Sequence, residues 1–216
     1  MDSSRLSERH VMIKEQLEKR GVQNPWVLQA MLDIPRHFFV PDSQHMKAYD
    51  DCPLPIGQEQ TISQPYIVAA MIEYIEPEPE KKVLEVGVGS GYSVAVLRRI
   101  VKEVYGIERN PVLLGEARKR LERLGLGQVN LKEGDGTLGW PEAAPFDAIL
   151  VTAGSPRVPE ALLNQLKPGG ALLIPLGNRE EQKLLRIIKK PGGHLQEKEL
   201  FAVRFVPLIG AEGWEK

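Results

Sequence analysis

Residues 83–92 read VLEVGVGSGY, and few folds accept such a run. Val83, Leu84 and Val86 make an apolar strand that carries Glu85 and empties into Gly87, Gly89 and Gly91. Behind the glycines, Val94, Val96, Leu97 and Ile100 recur at helical spacing. Strand, glycine turn and helix form the opening unit of a nucleotide-binding α/β fold. The glycines let the backbone turn sharply and let a ligand approach it closely.

The spacing selects the ligand. A dinucleotide fingerprint wants glycine three positions after its second glycine, and that position holds Tyr92. A pyrophosphate gains from bare amides at a helix N-terminus. A carboxylate two residues before the first glycine suits a cationic ligand instead. This run resembles the first motif of S-adenosylmethionine-dependent methyltransferases, whose cofactor carries an amino group and a sulfonium. A tight turn in some other α/β protein is the bland alternative.

The rest of the chain supports the α/β reading. Strands are expected at 83–86, 103–108, 129–133, 147–151 and 171–176. Helices are expected at 92–101, 111–124 and 159–166. Strands joined by helical crossovers imply a mostly parallel sheet with helices on both faces. The C-terminal strands, 183–190 and 197–205, are separated by Pro191-Gly192-Gly193, which predicts an antiparallel hairpin added to that sheet.

The N-terminal segment reads as helical. Leu6, His10, Ile13 and Leu17 share one helical face, with Gly21 as C-cap. Asn24-Pro25 caps and opens a second helix that Pro35 ends. Residues 36–65 carry four prolines and the turn former Gly57 and read as one long irregular segment, a pattern that is usually functional or disordered; Phe38, Phe39, Val40, Tyr49, Leu54 and Ile56 argue for order. A further helix is expected over 65–75. The expected organisation is one domain of 216 residues. Residues 1–80 form its helical and substrate-side segment, and 81–216 its core with the hairpin.

Composition narrows the function. The net charge of −1 gives no basic field for nucleic acid. No apolar run has the length of a membrane span, and MDSSRLSERH lacks a signal-peptide core. A lone Cys52 and four scattered histidines predict neither disulfide nor metal site. A cytoplasmic location is the expectation.

Three acids sit at or near successive strand ends, where such sheets bind ligands. Glu85 lies in the first strand. Glu108 ends the second, where its two oxygens suit the ribose hydroxyls. Asp135 follows the third and is expected to accept from the adenine amino group. Gly87, Val88, Gly89 and Ser90 in the turn, Arg109 beside Glu108, and Gly134 and Gly136 around Asp135 complete the expected cofactor set. Glu85 alternatively only shapes the turn.

Residues 53–71 read PLPIGQEQTISQPYIVAAM. Pro65 suits a first helical turn, which places Gln64 or Ser63 at the cap. Ser63 then presents a hydroxyl beside free amides, an arrangement that binds anions or merely caps the helix. The run Ile56-Gly57, Gln60-Thr61-Ile62-Ser63-Gln64-Pro65 resembles the signature of the protein-L-isoaspartate O-methyltransferase family. IPRHFFVP, AYDDCPLPIG, GDGTLGWPE, FDAILVTAG, LKPGGALLIPLG and RFVPLIG resemble further segments of that family, in the same order and over nearly the whole chain. Two positions depart: Glu59 stands where the family commonly has glycine, and Val88 where it commonly has threonine.

The resemblance implies a Rossmann-like class I methyltransferase that uses S-adenosyl-L-methionine without a metal. It would methylate the free α-carboxylate of L-isoaspartyl residues in damaged proteins, as a monomer. Ser63 would orient that carboxylate. Thr61, Ile62 and Val206 would contact the substrate, and His37 would either touch it or serve packing. Two other readings remain open from sequence: a methyltransferase acting on a small molecule or RNA, and a peptide-binding module that has lost turnover.

Overall fold

The computed structural model describes residues 4–215. Seven strands form one sheet: β3 (Lys82–Val86), β4 (Glu103–Glu108), β5 (Asn130–Glu133), β6 (Phe146–Val151), β7 (Leu166–Gly177), β8 (Gln182–Lys189) and β9 (Leu195–Val203). Their order is β5-β4-β3-β6-β7-β8-β9. The pairs from β5 to β7 are parallel, and β7–β8 and β8–β9 are antiparallel. The expected hairpin at the C-terminus is therefore present.

Side chains alternate between the two faces of a strand, and the core divides accordingly. Val83, Ala148 and Leu150 join one apolar cluster, while Leu84, Val86, Ile149 and Val151 join the other. Helices α4 (Tyr92–Arg98) and α5 (Pro111–Arg123) cover the first face, with α2 (Pro25–Asp33) and α3 (Pro65–Tyr74) packed beside them. Truncating one such fully buried aliphatic to alanine costs about 2–5 kcal/mol.

Strand order also places the site. From β3 the chain runs outward through β4 to β5, then returns to put β6 on the other side of β3. The carboxyl ends of β3, β4 and β6 therefore flank the switch point where open α/β sheets bind ligands.

The N-terminal segment departs from the expected stripe. After α1 (Leu6–Val11) the chain widens into a π-helical turn, Met12–Leu17. The wider turn shifts the phase: Arg9, Met12 and Leu17 are buried, whereas Leu6 and His10 are exposed. The second helix follows expectation, with Asn24 Oδ1 accepting from the amides of Trp26 and Val27.

Residues 36–65 contain regular structure where irregular chain was expected. Two 3₁₀ turns, Arg36–Phe39 and Asp42–Lys47, lead into an antiparallel hairpin of β1 (Leu54–Gly57) and β2 (Gln60–Ile62). Leu54 and Ile56 point into the core while Pro55 and Gly57 point out. Hydrophobic burial on one side pins this short ribbon.

Candidate active site

A cleft of about 490 Å³ opens at the switch point. Its floor is the glycine turn. Gly87 has φ +95°, and a Cβ there would come within 2.6 Å of Thr152 Oγ1. Only glycine fits that turn. The Thr152 hydroxyl donates to the Gly87 carbonyl at 2.6 Å and fastens the turn to the end of β6. Val88, Gly89 and Ser90 continue the floor.

The two strand acids have different duties. Glu108 accepts from the amides of Gly89 and Asn110, each at 2.9 Å, and still lines the cleft. Glu85 is fully buried, and its Oε2 has no hydrogen-bond partner among the described residues. Burial raises its carboxyl to about 8; neighbouring Ser93 opposes that rise and Glu108 adds to it. An acceptor held this way favours a cationic or donor-bearing ligand, so the floor fits the amino group of S-adenosylmethionine.

Asp135 is placed differently from the expectation. Neither it nor Gly134 lines the cleft, although Gly136 does. Its carboxylate accepts from Thr137 N at 2.9 Å, Thr137 Oγ1 at 2.6 Å and Ala211 N at 2.7 Å. Burial pushes its carboxyl up, but the bonds from Thr137 and Ala211 outweigh it and the net shift is downward. A Cβ on Gly210 would meet Asp135 Oδ1 at 2.1 Å, so the C-terminal segment lies directly on the carboxylate. Asp135 thus fastens the tail.

That tail forms part of the roof. Val206, Pro207, Leu208 and Ile209 line the cleft. They are held by hydrogen bonds from Gly154 N to Val206 O and from Leu208 N to Gly154 O, both 2.8 Å. The opposite lip is the β1–β2 turn, where Gln58 Oε1 accepts from Asn110 Nδ2 at 3.4 Å.

Ser63 stands where two cavities meet. Thr61, Ser63, Thr152 and Val206 line both the cofactor-side cleft and a second cavity of about 430 Å³. Ile62 lines the first. Ser63 is half-buried, directly before Gln64, the N-cap of α3. Among the described residues no side-chain hydrogen bond occupies its hydroxyl. It is therefore free to donate to a group lying between the cavities.

His37 takes the packing side of its two expected places. It lines neither cavity. It is buried, with Nδ1 2.7 Å from Tyr49 Oη and Nε2 3.3 Å from Ser4 Oγ. Its place is packing, not substrate contact. Conversely, Thr152 and Asn110 were missed from sequence. Thr152 had one signal, its position directly after the buried strand at 147–151.

Among the described residues no group of His, Cys, Asp and Glu forms a metal-binding cluster. A family model described as protein-L-isoaspartate(D-aspartate) O-methyltransferase matches residues 7–213. A protein-L-isoaspartate O-methyltransferase of Pelotomaculum thermopropionicum is 53% identical over 213 residues, 99% of this chain and 93% of that one. One of Trichlorobacter lovleyi is 52% identical over 204 residues, 94% of each chain. Among solved structures, a protein-L-isoaspartate O-methyltransferase superposes with TM-score 0.85 at 33% identity, over 95% of this chain and 67% of that one. A Plasmodium falciparum structure described as a protein-L-isoaspartate O-methyltransferase, in complex with S-adenosyl-L-homocysteine, gives TM-score 0.79 at 26% identity. It covers 94% of this chain and 98% of that one.

Proposed function

Since the chain belongs to the protein-L-isoaspartate(D-aspartate) O-methyltransferase family, we propose how its own residues carry out that family's reaction. The enzyme methylates the free α-carboxylate of L-isoaspartyl residues in damaged proteins and peptides. The ester then closes to a succinimide, part of which reopens to normal aspartate. S-adenosyl-L-methionine, held in the cleft, supplies an electrophilic methyl on a sulfonium.

The acceptor carboxylate is ionised at neutral pH, its ordinary pKa lying near ~4. No residue of the chain has to remove a proton, so positioning and preorganised charge carry the rate. Ser63 donates a hydrogen bond to the acceptor carboxylate and aims it at the cofactor side. Thr61, Ile62 and Val206 wall the passage between the cavities and limit water. Glu108 holds the ribose hydroxyls, and Glu85 faces the cationic end of the cofactor. Gly87, Val88, Gly89, Ser90, Arg109 and Gly136 shape the rest of the cofactor wall. Asp135 acts through the tail it supports, and Gly134 through its amide, which donates to the Glu108 carbonyl at 3.1 Å.

The observation that carries this reading is the junction at Ser63, where an unbonded hydroxyl separates a cleft floored by two acids from a second cavity. The whole chain works as one unit, with 1–80 on the substrate side and 81–216 forming the core. A monomer as the active species belongs to the same reading. A cytoplasmic site of action belongs to the same reading; among the described residues no helix is long and apolar enough to cross a membrane.

The test is methyl transfer from labelled S-adenosylmethionine to two peptides that differ only in L-isoaspartyl or L-aspartyl at one position. Label confined to the isoaspartyl peptide is expected. Equal labelling, or none, would overturn the assignment of this junction to the isoaspartyl carboxylate.

A further inference from the structure

The second cavity carries charge of one sign. Its lining includes two arginines, Arg20 and Arg204, and no acid. Arg20 is already committed. Its guanidinium lies 2.6 Å from Asp51 and stacks over the Tyr66 ring, 3.4 Å from the centroid. Arg204 is exposed, and among the described residues neither a hydrogen bond nor an ion pair engages its side chain.

The base of that arginine is fixed although its side chain is not. The next residue, Phe205, is clamped by Gln182: its amide donates to Oε1 at 2.8 Å and its carbonyl accepts from Nε2 at 3.2 Å. The segment then continues to Val206, which lines both cavities. Arg204 itself lines only the second one. A cation on a fixed base beside the acceptor cavity, with its charge unspent, attracts anions over roughly a Debye length of ~8–10 Å. The acceptor is a residue within a peptide, so its neighbours pass through that range.

We propose that Arg204 reads the charge of residues flanking the isoaspartyl residue and favours acceptors with an acidic neighbour. This rests on the placement of the acceptor carboxylate at Ser63. An acidic flanking side chain finds an unpaired guanidinium, a neutral one gains little, and a lysine is repelled.

The experiment uses isoaspartyl peptides of one sequence in which the residue on either side of the isoaspartyl is Glu, Gln or Lys. The expected order of kcat/KM is Glu, Gln, Lys. The extremes should differ by about fivefold to tenfold, as when an exposed attraction is exchanged for a comparable repulsion. Arg204→Gln should compress the range below about twofold, whereas Arg204→Lys should keep most of it. Salt near ~1 M, where the screening length is ~3 Å, should compress it in the wild type. S-adenosylhomocysteine affinity should not move in either variant. Methylation of all peptides at equal rates, a preference for Lys, or an order that survives Arg204→Gln would overturn the inference and leave the Ser63 reading standing. No methylation of any peptide would overturn that reading, and the inference with it.

Discussion

Glu85, Gly87, Gly89 and Glu108 floor the cofactor cleft from a single strand–turn–helix–strand unit, whereas its roof is gathered from distant places in the chain. The Gln58–Glu59 turn, Thr152 and the run from Val206 to Ile209 meet there only because the fold brings them together. The floor is closed locally: Glu108 takes the Gly89 amide and Asn110 caps α5 with its own side chain. The roof depends on bonds such as Ala211 N to Asp135, 76 residues apart. Floor and roof therefore divide the work. On the proposed reading, local structure recognises the cofactor and long-range contacts position the acceptor.

The sharpest test of that division is a pair of variants. Ser63→Ala should lower kcat by about 10²–10³, the loss typical of one preorganised donor, and leave S-adenosylhomocysteine affinity within about twofold. Glu108→Ala should do the reverse. Losing charge-assisted hydrogen bonds should raise the dissociation constant by about 10–100-fold, with a smaller change in kcat at saturation. Radiometric turnover and calorimetry read the two effects separately. If Ser63→Ala weakened the cofactor as much as Glu108→Ala does, floor and roof would not be separable.

A second test lies within the floor. Glu85 holds its proton to about pH 8 when folded, against an ordinary glutamate value near ~4.3. Between those values the folded state binds more protons than the unfolded one, so stability of the cofactor-free enzyme falls as pH rises. Glu85→Gln should remove that slope. The variant should gain on the order of a few kcal/mol over wild type at pH 8 and nothing at pH 4. A positive cofactor group reverses the preference and draws the proton off, so binding near pH 7 should release one. Urea titrations across pH, and binding heats in buffers of different ionisation enthalpy, measure the two halves. Parallel stability profiles for variant and wild type would mean that Glu85 is already ionised.

The same division explains what could be read from the sequence. The floor was legible because its evidence is local: an apolar strand, glycines at alternate positions, helical spacing behind them, and acids at strand ends. Ser63 was legible through Pro65, whose place in a helical turn sets the position of its neighbours. The tail contact of Asp135 was not legible, because a strand-end acid looks free until a distant amide takes it. His37 was left between packing and substrate contact because its partners, Tyr49 and Ser4, are brought to it by packing that no periodicity announces. The β1–β2 hairpin was passed over because Pro53, Pro55 and Gly57 suggested irregular chain. The alternation of Leu54 and Ile56 against Pro55 and Gly57 spans only four residues. Arg9 took a core position that a hydrophobic stripe would never assign to it.

The smallest predicted effect concerns the lip of the roof. Gly57 pairs with Gln60 across a two-residue turn, and both central residues are left-handed: Gln58 at φ 52° and Glu59 at φ 56°. Such turns ask for Asn-Gly, because a side chain in that region costs about 1–2 kcal/mol. Glu59→Gly should relieve the strain. Part of the gain is returned through the larger entropy of glycine in the unfolded chain. The net should be a stabilisation of about 0.5–1 kcal/mol, or roughly 2–3 °C in Tm for a chain of this size. Gln58 is the poorer probe, because its side chain also accepts from Asn110 across the cleft. An unchanged or lower Tm in Glu59→Gly would mean that the hairpin carries no net strain there. A rise in Tm with unchanged KM for the peptide would show that the strain belongs to the turn alone. A rise in Tm with altered KM would tie the left-handed turn to the passage at Ser63, since Gln60 and Thr61 follow it directly into β2.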